Sequence, residues 1–80
     1  MADLTTVVEI VWHDAHSESS WQELRDIDND PFVVRTVGWV IPDAKPGHVV
    51  VCQSVGNAQN IDGVICIPVG MIQHMKVLSP

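Results

Sequence analysis

The stretch Val64-Ile65-Cys66-Ile67-Pro68-Val69-Gly70-Met71-Ile72 brings an apolar run, a proline, a glycine and a second apolar run together. A run of β-branched residues predicts a strand, and this strand ends at Pro68 because proline lacks the N–H that a sheet ladder needs. Gly70 then permits a tight turn, and Ile72 to Leu78 reads as the next strand. The C-terminal part of the chain is therefore predicted to be a strand, a turn and a final strand.

The same pattern extends towards the N-terminus, where apolar runs alternate with short polar segments. Gly38 stands in the middle of one of these runs, at a position where strands bulge or bend. Turns between the runs are rich in proline, glycine and asparagine. We predict strands over Thr5 to Asp14, Phe32 to Ile41 and His48 to Val55, a turn over Pro42 to Gly47, and a longer loop over Gly56 to Gly63.

Between the first two strands the sequence predicts one short helix. Ser20-Trp21-Gln22-Glu23 has the form in which a serine and a glutamate cap each other's free backbone N–H groups. Apolar residues at three-residue spacing follow over Trp21 to Ile27, enough for one narrow stripe against a sheet. The helix is expected to end before Pro31, because the residue before a proline avoids the α region.

Five strands and one early helix predict a mainly β (α+β) fold, a small five-stranded antiparallel barrel or bent sheet, in one domain over residues 1–80. The ending over residues 64–72 resembles that of SH3-like barrels, in which a strand reaches a proline, makes one 3₁₀ turn and leaves as the last strand. The acidic-aromatic first strand and paired tryptophans of peptide-binding SH3 domains are absent from the sequence, so the resemblance does not imply polyproline recognition.

Charge is distributed unevenly along the chain and limits the function classes. The net charge is −6; residues 1–30 hold eight of the ten acidic residues and one base, which gives −7, whereas residues 31–80 carry +1. A polyphosphate backbone requires a basic surface, so a nucleic acid polymer is not an expected partner. The chain contains no glycine-rich phosphate loop, HExxH or GxSxG motif, and we expect no enzymatic activity and no cofactor.

Histidine and cysteine are read as structural rather than as metal ligands. His13-Asp14-Ala15-His16 leaves a strand and lacks a third ligand at a recognisable spacing. Cys52 and Cys66 lie in apolar segments and are expected to be reduced and buried. The sequence shows neither a membrane span nor a signal peptide with a basic and then an apolar region, so the expected location is the cytoplasm. A small domain without disulfides or metals often gains stability by association, and a homo-oligomer is expected.

Over its whole length the chain resembles a class of short accessory proteins found in tailed phages. The matching features are Trp12-x-Asp14-Ala15, Trp21, Thr36-Val37-Gly38-Trp39, Val49-Val50-Val51 with Ser54, and Ile67-Pro68-x-Gly70-Met71-Ile72. The resemblance implies a non-structural protein that acts in the cytoplasm of the infected host cell, where such proteins modulate host enzymes or defence systems.

A small anionic ligand remains compatible with this composition, because one arginine and a few hydrogen-bonding groups suffice for a single nucleotide. Arg35 alternates with apolar residues in its strand, which places its guanidinium on the same face as the Trp39 indole. Tryptophan offers a stacking surface for a base, although a single indole belongs more often to the core. The candidate ligand-binding residues are Arg35, Trp39, Trp12, Asn57 and Asn60. The alternative is that Arg35 lies on an exposed barrel face or pairs with one of the many N-terminal carboxylates, and that the loop asparagines are solvated.

The second function hypothesis is a protein-interaction module. Its acidic N-terminal third would dock on a basic face of a host protein, because opposite charges steer association. The candidate partner-binding residues are Trp21, Glu18, Glu23 and Asp26. A solvated helix face is the structural alternative.

Overall fold

The computed structural model describes residues 4–14 and 32–79. Within them the chain forms strands joined by short turns and two 3₁₀ turns. The strands are β1 (Val7–Asp14), β2 (Phe32–Val40), β3 (His48–Cys52), β4 (Ser54–Val55), β5 (Ile61–Asp62), β6 (Ile65–Pro68) and β7 (Ile72–Ser79). The 3₁₀ turns are Asn57–Gln59 and Val69–Met71. The predicted helix over Trp21 to Ile27 lies outside the described residues.

Five of the strands form one antiparallel sheet in the order β6-β3-β2-β1-β7. The mainly β prediction is therefore confirmed, and the five sheet strands correspond to the five predicted apolar runs. In the part of the chain that the structure describes, β6 and β7 remain as the two edges of an open sheet. The turn over Val69–Met71 follows Pro68, where the sequence placed it.

The core lies against one side of β1, which we call the inner face. Val8, Ile10 and Trp12 alternate along β1 and are buried, as the period of two predicts. They pack with Val51 of β3 and Ile67 of β6. Because β6 is three places away from β1 in the sheet, this contact requires the sheet to bend over its inner face. Partly buried residues extend the cluster: Val34, Val40, Val49, Ile65, Met71 and Ile72.

The opposite side of β1 is the outer face, and it is more polar. It carries Glu9 between Val7 and Val11, and the register places Arg35 of β2 across from Val11. Lys76 of β7 lies across from Glu9. The outer face therefore combines apolar residues with charges that remain in contact with water.

Three predictions about the C-terminal half need correction. The predicted strand His48 to Val55 is divided at Gln53, because residues after Gln53 pair with β5 instead of continuing beside β2. The predicted loop Gly56 to Gly63 accordingly contains β5 as well as a 3₁₀ turn. Both thiols are free, and Cys52 is buried as expected, but Cys66 is exposed because it lies on the outer side of the edge strand β6.

No helix in the described ranges has the length and apolar character needed to cross a membrane.

Candidate functional site

The sheet forks where β3 ends. Trp39 pairs with Cys52 and Val40 with Val51, but β2 has no further rung with β3. Beyond Cys52 the chain turns away, and β4 pairs with β5 in a separate two-stranded ribbon. Among residues 4–14 and 32–79, no strand pairs with the first half of β2 on this side, which faces an opening.

An open groove of about 320 Å³ occupies this fork. One wall is β2, and the other is formed by the start of the ribbon and by β6. The lining residues are Arg35, Thr36, Val37, Gln53, Gly63 and Ile65. The groove therefore offers a cation, a hydroxyl, an amide and apolar surface to one ligand.

Gln53 joins the two walls of the groove. Its side-chain Nε2 donates a hydrogen bond of 2.9 Å to the Val37 carbonyl oxygen on β2. Its backbone N–H donates to the Asp62 carbonyl oxygen on β5 at 3.1 Å. The amide side chain thus takes the place of the missing β3 rung, and it ends the β2–β3 ladder without leaving the Val37 carbonyl unpaired.

Gly63 brings the ribbon close to Gln53. Its φ of +69° lies in the left-handed region, and a Cβ at this position would stand 2.8 Å from the Gln53 Cβ. Gly47 has a similar φ of +71° but has no atom within 4 Å of the corresponding position. Comparing a substitution at Gly63 with one at Gly47 therefore separates the free-energy cost of the left-handed backbone from the cost of the contact with Gln53.

We expect Gly63→Ala to destabilise the protein by about 1.5–2 kcal/mol and Gly47→Ala by about 1 kcal/mol, because only the first adds a clash to the left-handed backbone. Urea unfolding followed by circular dichroism measures both. Gly56→Ala is the control, since φ is −106° there and the nearest atom lies at an ordinary 3.6 Å. Equal losses for the variants at Gly63 and Gly47 would contradict the close approach to Gln53.

Arg35 is the cation of the groove. Its side chain is 70% exposed, and its Nε lies 4.0 Å from Glu9 Oε1 on the outer face. An exposed ion pair at this distance contributes less than about 1 kcal/mol, so Glu9 does not immobilise the guanidinium. Across β1, Lys76 lies opposite Glu9, which adds a positive charge to the same outer face.

Trp39 shares the outer face with Arg35 but does not line the groove. The two residues lie four positions apart, roughly 13 Å along β2. Trp39 is partly buried, and its strand neighbours are Val7 and Cys52. At this spacing a compact ligand does not contact both side chains, so a site that includes both requires an extended ligand.

Trp12 lies in the core. Its side chain is 7% exposed, and its indole Nε1 donates a 3.0 Å hydrogen bond to Thr36 Oγ1. Burial of the ring leaves no face for a stacked base. Thr36 lines the groove, so Trp12 reaches the groove only by orienting that hydroxyl group.

Asn57 and Asn60 stabilise their own loop. The Asn60 side-chain Nδ2 donates to the Asn57 carbonyl oxygen at 3.1 Å, and the Gly56 N–H donates to the Asn60 carbonyl oxygen at 2.7 Å. Ala58 and Gln59 between them adopt positive φ. Neither asparagine lines the groove.

The predicted partner-binding residues Trp21, Glu18, Glu23 and Asp26 lie outside the described residues, as does His16. Among residues 4–14 and 32–79 no three histidine, cysteine, aspartate or glutamate side chains cluster as a metal site would require.

Sequence reasoning identified Arg35 but not the other polar groups of the groove, Gln53 and Thr36. Gln53 carried one usable signal, since it is a polar residue directly after the apolar run that ends at Cys52. Gly63 carried another, as the last glycine of the predicted loop. Their proximity to β2 depends on the fork, which no local pattern encodes.

Comparison with protein-family models, with curated proteins and with solved structures found no match to this chain.

Proposed function

We propose that this chain is a non-enzymatic binding protein that sequesters a small anionic, nucleotide-like ligand at the groove beside Arg35. The observation that carries the proposal is an exposed guanidinium, held only loosely by Glu9, at the rim of an open groove. A guanidinium donates paired hydrogen bonds to a phosphate, which suits it to anchor such a ligand.

The neighbouring groups fit the rest of a nucleotide. The Gln53 amide oxygen is not used in the bond to Val37 and remains able to accept a hydrogen bond from a base or ribose. On the outer face, Lys76 adds positive charge at a distance from Arg35. A ligand that extends along this face from Arg35 would meet the Trp39 indole, a surface on which a base stacks.

Calorimetry with a panel of cyclic and linear nucleotides tests the proposal. We expect at least one member to bind, and Arg35→Ala to weaken that binding at least tenfold, about 1.4 kcal/mol. Lys45→Ala is the matched control, because it also removes one positive charge but lies in the turn before β3, away from the groove. A panel without a single binder contradicts the proposal, as does an equal loss for the variants at Arg35 and Lys45.

The biological setting is part of the proposal. The family resemblance supports a phage accessory protein that acts in the host cytoplasm, where a sequestered nucleotide of host defence would be the ligand. Exposed apolar residues on the edge strand β7, Met75, Val77 and Leu78, support a homo-oligomer. Sedimentation with and without the best nucleotide reports the oligomeric state.

We also propose that the bent sheet is a small SH3-like barrel. What supports this is the strand order, in which the last strand β7 pairs with β1, and the 3₁₀ turn that separates β6 from β7. The alternative function, docking of the acidic N-terminal third on a host protein, rests on the charge of residues 1–30 alone.

A further inference from the structure

We propose that the groove-side edge of β2 in the fork accepts an extended strand from a partner polypeptide, with an acidic side chain opposite Arg35. This goes beyond the binding of a small ligand and does not depend on it, because the new contacts are backbone hydrogen bonds.

The direction of each β2 backbone group follows from hydrogen bonds on either side of the strand. Val40 N–H donates to the Thr6 carbonyl oxygen, on the side of β1, and Ile41 N–H donates to the Val50 carbonyl oxygen, on the side of β3. Successive residues of a strand point their N–H and C=O groups to alternate sides. Odd-numbered residues of β2 therefore face β3 or, before the fork, the groove.

The groove-side groups near the end of β2 have hydrogen-bond partners, whereas those near its start have none among the described residues. Trp39 pairs with Cys52, and the Val37 carbonyl accepts a hydrogen bond from the Gln53 side chain. Within residues 4–14 and 32–79 nothing bonds to the groove-side N–H and C=O groups of Arg35 and Val33. An unpaired strand edge of this kind is a template for another strand.

Side chains along this edge specify what the added strand must carry. Residues that pair across an antiparallel ladder lie on the same face, so the residue opposite Arg35 meets an exposed guanidinium on the outer face. Its neighbours two positions away meet Val33 and Val37, which are 56% and 43% exposed. The inward-facing residues between them lie beside Thr36 and Ile65. The best sequence alternates apolar, polar, acidic, polar and apolar residues.

Two copies of this chain fit poorly if they pair through their β2 edges. If two β2 edges paired about Arg35, the two guanidinium groups would lie directly opposite each other, and like charges at that position are destabilising. An acidic residue at that position changes repulsion into a charge-assisted contact. Charge complementarity therefore disfavours pairing of two β2 edges and favours a strand with an acidic residue opposite Arg35, which the proposal assigns to a partner polypeptide.

The test uses the full chain labelled with ¹⁵N and a capped heptapeptide, Thr-Val-Thr-Glu-Thr-Val-Thr. We expect amide hydrogen exchange at Val33 and Arg35 to slow at least tenfold when the peptide is added, while exchange along β7, the other long edge, stays unchanged. A peptide N-methylated on the amides that face β2 should give no protection. Protection that appears along β7 instead overturns the proposal.

Two variants separate edge pairing from simple attraction. Val33→Pro removes one groove-side N–H without touching the β1 ladder, and proline is tolerated on an edge; we expect at least tenfold weaker peptide binding, against less than threefold for Val33→Ala. Arg35→Glu should reject this peptide and accept the version with lysine in place of glutamate. Equal binding by the two Val33 variants overturns the proposal.

Amide hydrogen exchange measured without the peptide tests whether this chain or a second copy of it covers the edge. Slow exchange of Val33 and Arg35 at every protein concentration would mean that this chain covers its own edge, and protection that grows with concentration would mean a second copy; either result overturns the proposal. A nucleotide panel without binders, in contrast, contradicts only the small-ligand proposal, because it leaves the peptide measurements unchanged.

Discussion

Replacing Gly38 with alanine is expected to lower the free energy of unfolding by about 3 kcal/mol, at the upper end of the usual cost of overpacking. A Cβ at this position would stand 2.6 Å from the Cys52 carbonyl oxygen, and both residues are buried. That oxygen belongs to the backbone of β3, so no side chain can rotate away to relieve the clash. For a domain of this size the loss corresponds to a fall in Tm of roughly 12–24 °C.

Gly70→Ala is the matched control, because no atom lies within 4 Å of its Cβ position and its backbone is not left-handed. It should remain within about 0.5 kcal/mol of the parent protein. Thermal and urea unfolding of both variants, followed by circular dichroism, measure the difference. Equal stability of the variants at Gly38 and Gly70 would contradict the close approach of β3 to β2.

The Gly38 contact also determines the geometry of the candidate site. Trp39 and Cys52 form the last β2–β3 rung, and Gln53 begins the fork immediately afterwards. If alanine pushes β3 away from β2, the bond from Gln53 Nε2 to the Val37 carbonyl lengthens as well. We therefore expect amide exchange near the fork to change more than exchange in the β1–β7 ladder.

Local patterns were sufficient to predict most of the fold. Alternation placed Val8, Ile10 and Trp12 on one face of β1, and proline and glycine after Ile67 placed the last turn. Gly38 was recognised as a position for a bend. The division of the strand at Gln53 was not predictable, because residues 48–55 remain apolar enough for one strand and the change of partner depends on contacts with Gly38 and Gly63, distant in sequence.

The candidate site was predictable only where alternation determines it. Arg35 and Trp39 lie on the same face because they are four positions apart, but the sequence does not say which side of β2 becomes a groove. Asn57 and Asn60 were chosen for their hydrogen-bonding groups, and the nearest partners of those groups are in their own loop. Short polar loops satisfy themselves in this way because Asx side chains bond to nearby backbone.

Trp12→Ala is expected to cost about 4 kcal/mol, the largest effect of any substitution considered, because it removes a buried indole from the centre of the core. An 80-residue domain has a total stability of roughly 4–12 kcal/mol. The variant therefore approaches the point at which the protein unfolds at room temperature. Urea unfolding gives the value directly, and a loss below about 1 kcal/mol would contradict the burial of Trp12.

Trp12→Phe keeps most of the apolar volume and removes the indole N–H, so it remains folded when the alanine variant does not. Combined with Thr36→Val in a double-mutant cycle, it should give a coupling energy of about 1 kcal/mol for the hydrogen bond to Thr36 Oγ1. The same variants decide between core and ligand contact. The Thr36→Val variant has already lost the hydroxyl group that the indole orients. If the indole acts only through that group, adding Trp12→Phe changes the nucleotide affinity of Thr36→Val by less than about threefold. A further tenfold loss on adding Trp12→Phe would mean that the ring itself contacts the ligand.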